Sequence, residues 1–341
     1  MNRKVFILIV LTAQLALANQ CQKSSNERPP TGNPPVTTLR NPIITGADPW
    51  VYQAGTVYYY MHTLGDRVAI WKTDSMPAVA NAQRTTIFTP TPGEANSRNV
   101  WAPEIHKVDR KWYTYFTAGS GPDSTQRLWV IENPNEDPTT GTWTSKGRIF
   151  SPAADFWAID GTVLEHDGIK YFLWSGRPDH TKQDQNIYIS RMENAWTLTG
   201  PVTMLTAPQL PWERVGGPVN EGPQILKNPE GDVFVIYSAS GCWTDDYALG
   251  MLRLKDGGDP MQLDDWIKSQ QPVFTKHEEN NAFGPGHNSF FKSPDQKQDW
   301  IIYHANLRSG DGCSNKRNVR IQPFTWNADG TPNFGRPVKA S

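Results

Sequence analysis

The chain lacks an excess of either charge. Its 33 Lys and Arg stand against 34 Asp and Glu, so no electrostatic footprint for nucleic acid is present. Cysteine is scarce: there are three, with no CxxC, HExxH or paired-cysteine cluster, and no metal site or required cofactor is expected. A GxSxG nucleophile elbow and a Gly-rich phosphate loop are both missing. The apolar run inside MNRKVFILIVLTAQLALA is shorter than the ~20 residues a membrane-spanning helix needs.

That run reads instead as a secretory signal over residues 1–18, with a basic start at Arg3 and Lys4 and a small-x-small end at Ala16-Leu17-Ala18. Export is therefore expected, to the periplasm, the exterior or the cell surface. Cys21 follows closely and leaves a lipid anchor open, although Gln20 is a poor residue immediately before a lipidated cysteine. Residues 19–39 contain NERPPTGNPPVTT, a Pro-rich tether, and the folded part is expected over 40–341. With Cys21 lost or lipidated, Cys242 and Cys313 remain. An exported chain permits a disulfide between them, and free buried thiols are the alternative.

What the sequence has in quantity is aromatic rings and turn residues: 14 Trp, 11 Tyr and 13 Phe with 28 Pro and 27 Gly, a mixture that favours short strands and many turns over helices. Five segments share one layout: ADPWVYQAGTVYYYMH, WAPEIHKVDRKWYTYFTAG, IDGTVLEHDGIKYFLWSG, NEGPQILKNPEGDVFVIYSASG and GHNSFFKSPDQKQDWIIYHAN. Each is an apolar strand, a polar turn and an aromatic strand, and a third strand follows (RVAIWKTD, RLWVIEN, NIYISRM, YALGMLRL, NVRIQPFTW). Their first core-facing residues, Val51, Ile105, Val163, Ile225 and Phe290, are roughly 54 to 65 residues apart, a little more than the usual blade period. Five units of about four strands predict an all-β, five-bladed β-propeller.

The innermost strand of each blade lines the central channel, so equivalent positions converge at one end of the axis. Three or four residues before the anchors stand Asp48, Trp101, Asp160, Glu221 and His287. Taken singly, each has a bland reading. Asp48-Pro49, Asp160-Gly161 and Glu221-Gly222-Pro223 are ordinary turn sequences, Trp101 could be core, and His287 a hydrogen-bonded structural residue. Their common register across the blades is what points to a site. Asp109, Asp167, Glu230 and Asp295 instead fall at hairpin tips, and Asp245-Asp246 and Asp264-Asp265 read as loop charges.

Blade order assigns roles. Asp160 and Glu221 lie on neighbouring blades, where close carboxylates raise one another's pKa and one stays protonated near neutral pH. Glu221, with the longer reach, is the expected general acid and Asp160 its modulator. Asp48, two steps round the ring from each, stays ionised as general base. A base and an acid flanking a sugar bond are the apparatus of glycoside hydrolysis.

The motifs ADPW, NVWAPEIH, WAIDGTV, NEGPQI and FGPGHNSF, in that order, resemble glycoside hydrolase family 43 over nearly all of residues 40–341. The resemblance implies a five-bladed propeller that inverts the anomeric centre with an Asp base, a Glu acid and an Asp that orients the acid. These fall on Asp48, Glu221 and Asp160. It also implies that His287 sits near the channel, where the family often has a calcium ion or water beneath the sugar, that Trp101 walls the pocket or stacks on a sugar, and that an arginine of the NVRIQPFTW strand approaches substrate. Arg320 is the candidate, and Arg317 fits the register less well.

The combination of SGCWTDDYALG, FGPGHNSFF and DGTPNFG resembles the arabinofuranosidase branch more than the xylosidase branch. The expected activity is exo-acting removal of α-L-arabinofuranosyl residues from arabinan or arabinoxylan, with β-xylosidase as the alternative. A non-catalytic sugar-binding propeller would need the aromatics without three carboxylates in register. A retaining fructan hydrolase would be expected to carry an Asn-Asp-Pro-Asn-Gly-like motif where ADPW stands.

Overall fold

A computed structural model describes residues 39–341 apart from 180 and 183. The signal, Cys21 and the tether up to residue 38 lie outside the described residues. Four four-stranded antiparallel sheets follow one another along the chain. They begin at Trp50–Ala54, Arg98–Val108, Trp157–His166 and Asn220–Lys227 and end at Gln83–Phe88, Thr144–Arg148, Thr197–Thr206 and Trp266–Lys268. Each runs outward in sequence order, the up-and-down blade that the threefold strand pattern predicts.

The fifth blade is built differently, from Phe283–Lys292, Asp299–Asn306, Asn318–Trp326 and then Ile44–Thr45 from the other end of the chain. Ile44 pairs with Val319 and Thr45 with Asn318. Asn318–Trp326 also pairs with the short strand Pro332–Asn333. The fifth blade is thus completed by a strand from the N-terminal side of the first blade, which ties the two ends of the chain together.

The aromatic content is explained by what lies between blades. The five apolar clusters of the interior each fill one of the five gaps. Leu164, Tyr171 and Ile189 of the third blade, for example, pack on Val233, Tyr237 and Leu252 of the fourth. The gap between the fifth and first blades holds Ile302, Val319 and Phe291 against Val51, Tyr58 and Tyr60. Wedge-shaped gaps between twisted sheets demand large rings, and truncating one that is fully buried, such as Phe172→Ala, is expected to cost roughly 3–5 kcal/mol.

Candidate active site

One backbone feature recurs in all five inner strands. Three residues before each core anchor, Asp48, Ala102, Asp160, Gly222 and His287 have φ of 57°, 41°, 56°, 54° and 45°. Four non-glycine residues in the left-handed region represent stored strain that surrounding contacts must hold. In the second to fifth blades the pairing register breaks at the same places, between Trp101 and Glu104, Ile159 and Thr162, Glu221 and Gln224, and Gly286 and Ser289, while Asp48 lies two residues ahead of its regularly paired strand. A bulge of this kind re-aims side chains at the end of a strand. The offset is therefore uniform at three residues, and Trp101 and Glu221 stand one residue before the bulge.

The contacts that hold the bulges come from neighbouring blades. The backbone N–H of Asp48 donates to His304 Nδ1 (3.1 Å), that of Ala102 to Thr63 Oγ1 (2.7 Å), that of Asp160 to Thr117 Oγ1 (3.2 Å) and that of His287 to Ser238 Oγ (2.7 Å). Each acceptor lies in, or just past, the second strand of the preceding blade. The fourth blade is the exception. Its bulge N–H, on Gly222, donates to the carboxylate Oδ2 of Asp160 at 3.0 Å.

These bulges surround a cavity of about 470 Å³ lined by Asp48, Trp101, Asp160, Glu221, His287 and Arg317, with Trp157, Trp243 and the Cys242–Cys313 disulfide among its walls. In Asp48, Oδ2 accepts from Thr63 Oγ1 at 2.6 Å and Oδ1 from Arg317 Nη1 at 3.3 Å, and His287 Nδ1 lies 3.4 Å from Oδ1. Burial pushes the Asp48 carboxyl up, but His287 and Arg317 outweigh it and hold the group well below the usual carboxylate range. His304 Nδ1 is also 3.4 Å from Oδ1, yet it already accepts the Asp48 N–H. Burial lowers its pKa to about 4, so it faces Asp48 as a neutral ring.

Across the cavity, Glu221 Oε1 accepts from the Tyr247 hydroxyl at 2.7 Å and Oε2 from Gln185 Nε2 at 3.0 Å. Asp160 is pushed up to about 8, by burial first and then by the charges of Glu221 and Asp48, against the opposing pull of His287 and the Gly222 N–H. One proton therefore stays with this pair of neighbouring carboxylates near neutral pH. His287 is buried, which lowers its pKa, but Asp48, Asp160, Glu221 and Glu104 raise it above the ordinary histidine value.

The structure thus brings Asp48, Asp160, Glu221, Trp101 and His287 to one pocket. Arg320 requires correction. Its guanidinium is fully buried away from the cavity and donates to Asn318 Oδ1 and to the carbonyls of Asn280, Asn281 and Val338. It ties the fifth blade to the C-terminal segment. Arg317, three residues earlier, lines the pocket beside Asp48, because it precedes the strand and is free of the strand's alternation between faces.

A calcium ion takes 6–8 oxygen ligands. Among the described residues no three His, Cys, Asp or Glu side chains gather as a metal cage, and the acids around His287 favour its protonated form. The side chains at this site do not fit a protein-built calcium cage.

Thr63, Gln185 and Tyr247, which contact the carboxylates, lie outside the inner-strand register that singles out the other site residues, whereas Arg317 stands in the sequence as the alternative to Arg320. The small polar residues near the ends of the aromatic strands, Thr63, Thr117, Ser238 and His304, recur at blade spacing and were available as a signal.

Residues 39–332 match the model of glycosyl hydrolases family 43. The chain belongs to this family. It is 40% identical over 314 residues to an extracellular exo-α-(1→5)-L-arabinofuranosidase of Streptomyces avermitilis, covering 89% of this chain and 64% of that protein. It is 34% identical over 322 residues to α-L-arabinofuranosidase 43 of Humicola insolens, covering 90% and 65%. The chain thus spans just under two thirds of the length of these two relatives. A solved structure of an α-L-arabinofuranosidase from Lactobacillus brevis superimposes with a TM-score of 0.83 at 36% identity, covering 89% of this chain and 98% of that one.

Proposed function

We propose that this family 43 propeller is an exported, inverting, exo-acting α-L-arabinofuranosidase that removes terminal arabinofuranosyl residues from arabinan or arabinoxylan-type chains. The observation that carries the reading is one pocket that holds Asp48, braced by Thr63 and Arg317, together with Glu221 and the Asp160 carboxyl that clamps the backbone beside it. Neighbouring charge favours the ionised form of Asp48, and burial favours a retained proton on the pair. Asp48 takes a proton from water as it attacks the anomeric carbon. Glu221 delivers a proton to the departing oxygen. Gln185 only donates to Oε2, so Oε1, beside a hydroxyl that can also accept, is the oxygen able to carry that proton. Asp160 shares the pair's single proton with Glu221, which keeps Glu221 supplied as the acid, and holds the backbone next to it.

The arabinofuranoside preference is supported by the names of the relatives at 34–40% identity and of the Lactobacillus brevis structure. Export is supported by the leader read at residues 1–18 and by the word extracellular in the Streptomyces avermitilis relative's name. No helix among the described residues is long and apolar enough to cross a membrane. Discrimination between arabinose and xylose rests on few contacts, so the test is direct competition. Paired 4-nitrophenyl α-L-arabinofuranoside and β-D-xyloside are expected to give a kcat/KM that favours the arabinoside. A preference for the xyloside, or no turnover of either, would contradict the proposal.

A further inference from the structure

Trp243 is half-exposed, at 51%, whereas every other described tryptophan is buried or intermediate, and it lines the same cavity as Asp48 and Glu221. Its indole lies on backbone rather than on side chains. A Cβ on Gly241 would fall 2.4 Å from Cε2, 2.6 Å from Cζ2 and 2.9 Å from Cδ2, a pattern that places the glycine under the ring face. A Cβ on Gly216 would fall 2.8 Å from Nε1, and one on Gly217 3.0 Å from Cζ2. Three glycines from two segments thus make a floor that no larger residue could supply without moving the ring.

The loop that carries the indole is fastened to the fifth blade in three places. Cys242 is joined to Cys313. The Asp245 carboxylate accepts from the Gly310 N–H at 2.9 Å and from Ser309 Oγ, and the Asp245 carbonyl accepts from the Gly284 N–H at 2.9 Å. Asp245, expected from sequence to be a loop charge, is a latch. An exposed aromatic face held this rigidly has little ordering entropy left to lose when a ligand covers it.

Position identifies the ligand. Tyr247, four residues after Trp243, donates to Glu221 Oε1, so the loop belongs to the side of the pocket where the departing oxygen is protonated. We propose that Trp243 is the platform for the sugar ring of the leaving group, stacking on its C–H face next to the bond being cleaved. The Cys242–Cys313 bridge and the glycine floor keep that platform in place. The inference rests on the arabinofuranosidase reading and adds a binding determinant for the leaving sugar.

The test uses two substrates with the same terminal arabinofuranose: α-(1→5)-arabinobiose, whose leaving group is a sugar ring, and methyl α-L-arabinofuranoside, whose leaving group has no ring. In Trp243→Ala the ratio of kcat/KM for the disaccharide over the methyl glycoside is expected to fall about tenfold, the scale for truncating an aromatic contact at a binding site. Trp243→Phe is expected to restore most of it. An unchanged ratio, whether both rates fall together or neither does, would overturn the inference. Failure of the underlying reading shows separately, as a wild-type enzyme inert on both substrates, and overturns the inference with it.

Discussion

The Gly222 N–H donates to Asp160 Oδ2 at 3.0 Å, where three of the other four blades use an uncharged Ser or Thr and the fourth a neutral histidine. This substitution brings a second carboxyl beside Glu221 and clamps the backbone adjacent to it. Asp160 therefore has two separable effects, one of charge and one of geometry. Asp160→Asn retains an oxygen to accept from Gly222, whereas Asp160→Ala removes both. Asp160→Ala is expected to lower kcat roughly a hundredfold further than Asp160→Asn, as for a catalytic group out of place. In Asp160→Asn the alkaline limb of the pH–kcat/KM profile should move to lower pH, because the pair's proton, held up to about 8, is gone. Equal losses in the two variants with an unmoved limb would contradict this division.

The same carboxyl is expected to cost stability. Asp160 is raised from 3.8 to about 8 on folding, so its protonated form is favoured in the native state. The favourable contribution is complete below the unfolded value and is lost as pH rises towards the folded one. Asp160→Asn, which has no proton to lose, should therefore gain in Tm over the wild type progressively between about pH 4 and pH 8. A Tm difference independent of pH would show that the Asp160 carboxyl is not perturbed.

Arg317 and Arg320 should separate function from folding. Arg317 is one of the charges that holds Asp48 low, so Arg317→Met is expected to move the acidic limb of kcat/KM to higher pH. Arg320→Met leaves three backbone carbonyls and Asn318 without their donor. It should destabilise the fold by at least about 2 kcal/mol in urea unfolding, with the limbs of the profile unmoved. The opposite pattern would return the pocket to Arg320.

The distinction between these arginines also shows what sequence reasoning reached. The blades were legible because each inner strand repeats an apolar anchor, a polar turn and an aromatic strand, and Val51, Ile105, Val163, Ile225 and Phe290 fix the spacing. Asp48, Asp160 and His287 were legible through that register. The strand that completes the fifth blade was not, because Ile44–Thr45 is two residues long and carries no repeat. Arg320 was favoured over Arg317 because strand alternation was extended to a residue that lies before the strand. The uneven offset of Trp101 and Glu221 resolves only once Ala102 and Gly222 are seen to occupy the bulge, a backbone property that residue type does not announce at an alanine.

The central claim is a single displacement by water activated at Asp48, with Glu221 as the acid. Proton NMR of the first turnovers on an α-L-arabinofuranoside, read before mutarotation, tests it most directly. The account predicts that β-L-arabinofuranose appears first and the α anomer grows in later. An α anomer as first product would mean two displacements through a covalent glycosyl-enzyme, and would contradict the roles given to Asp48 and Glu221.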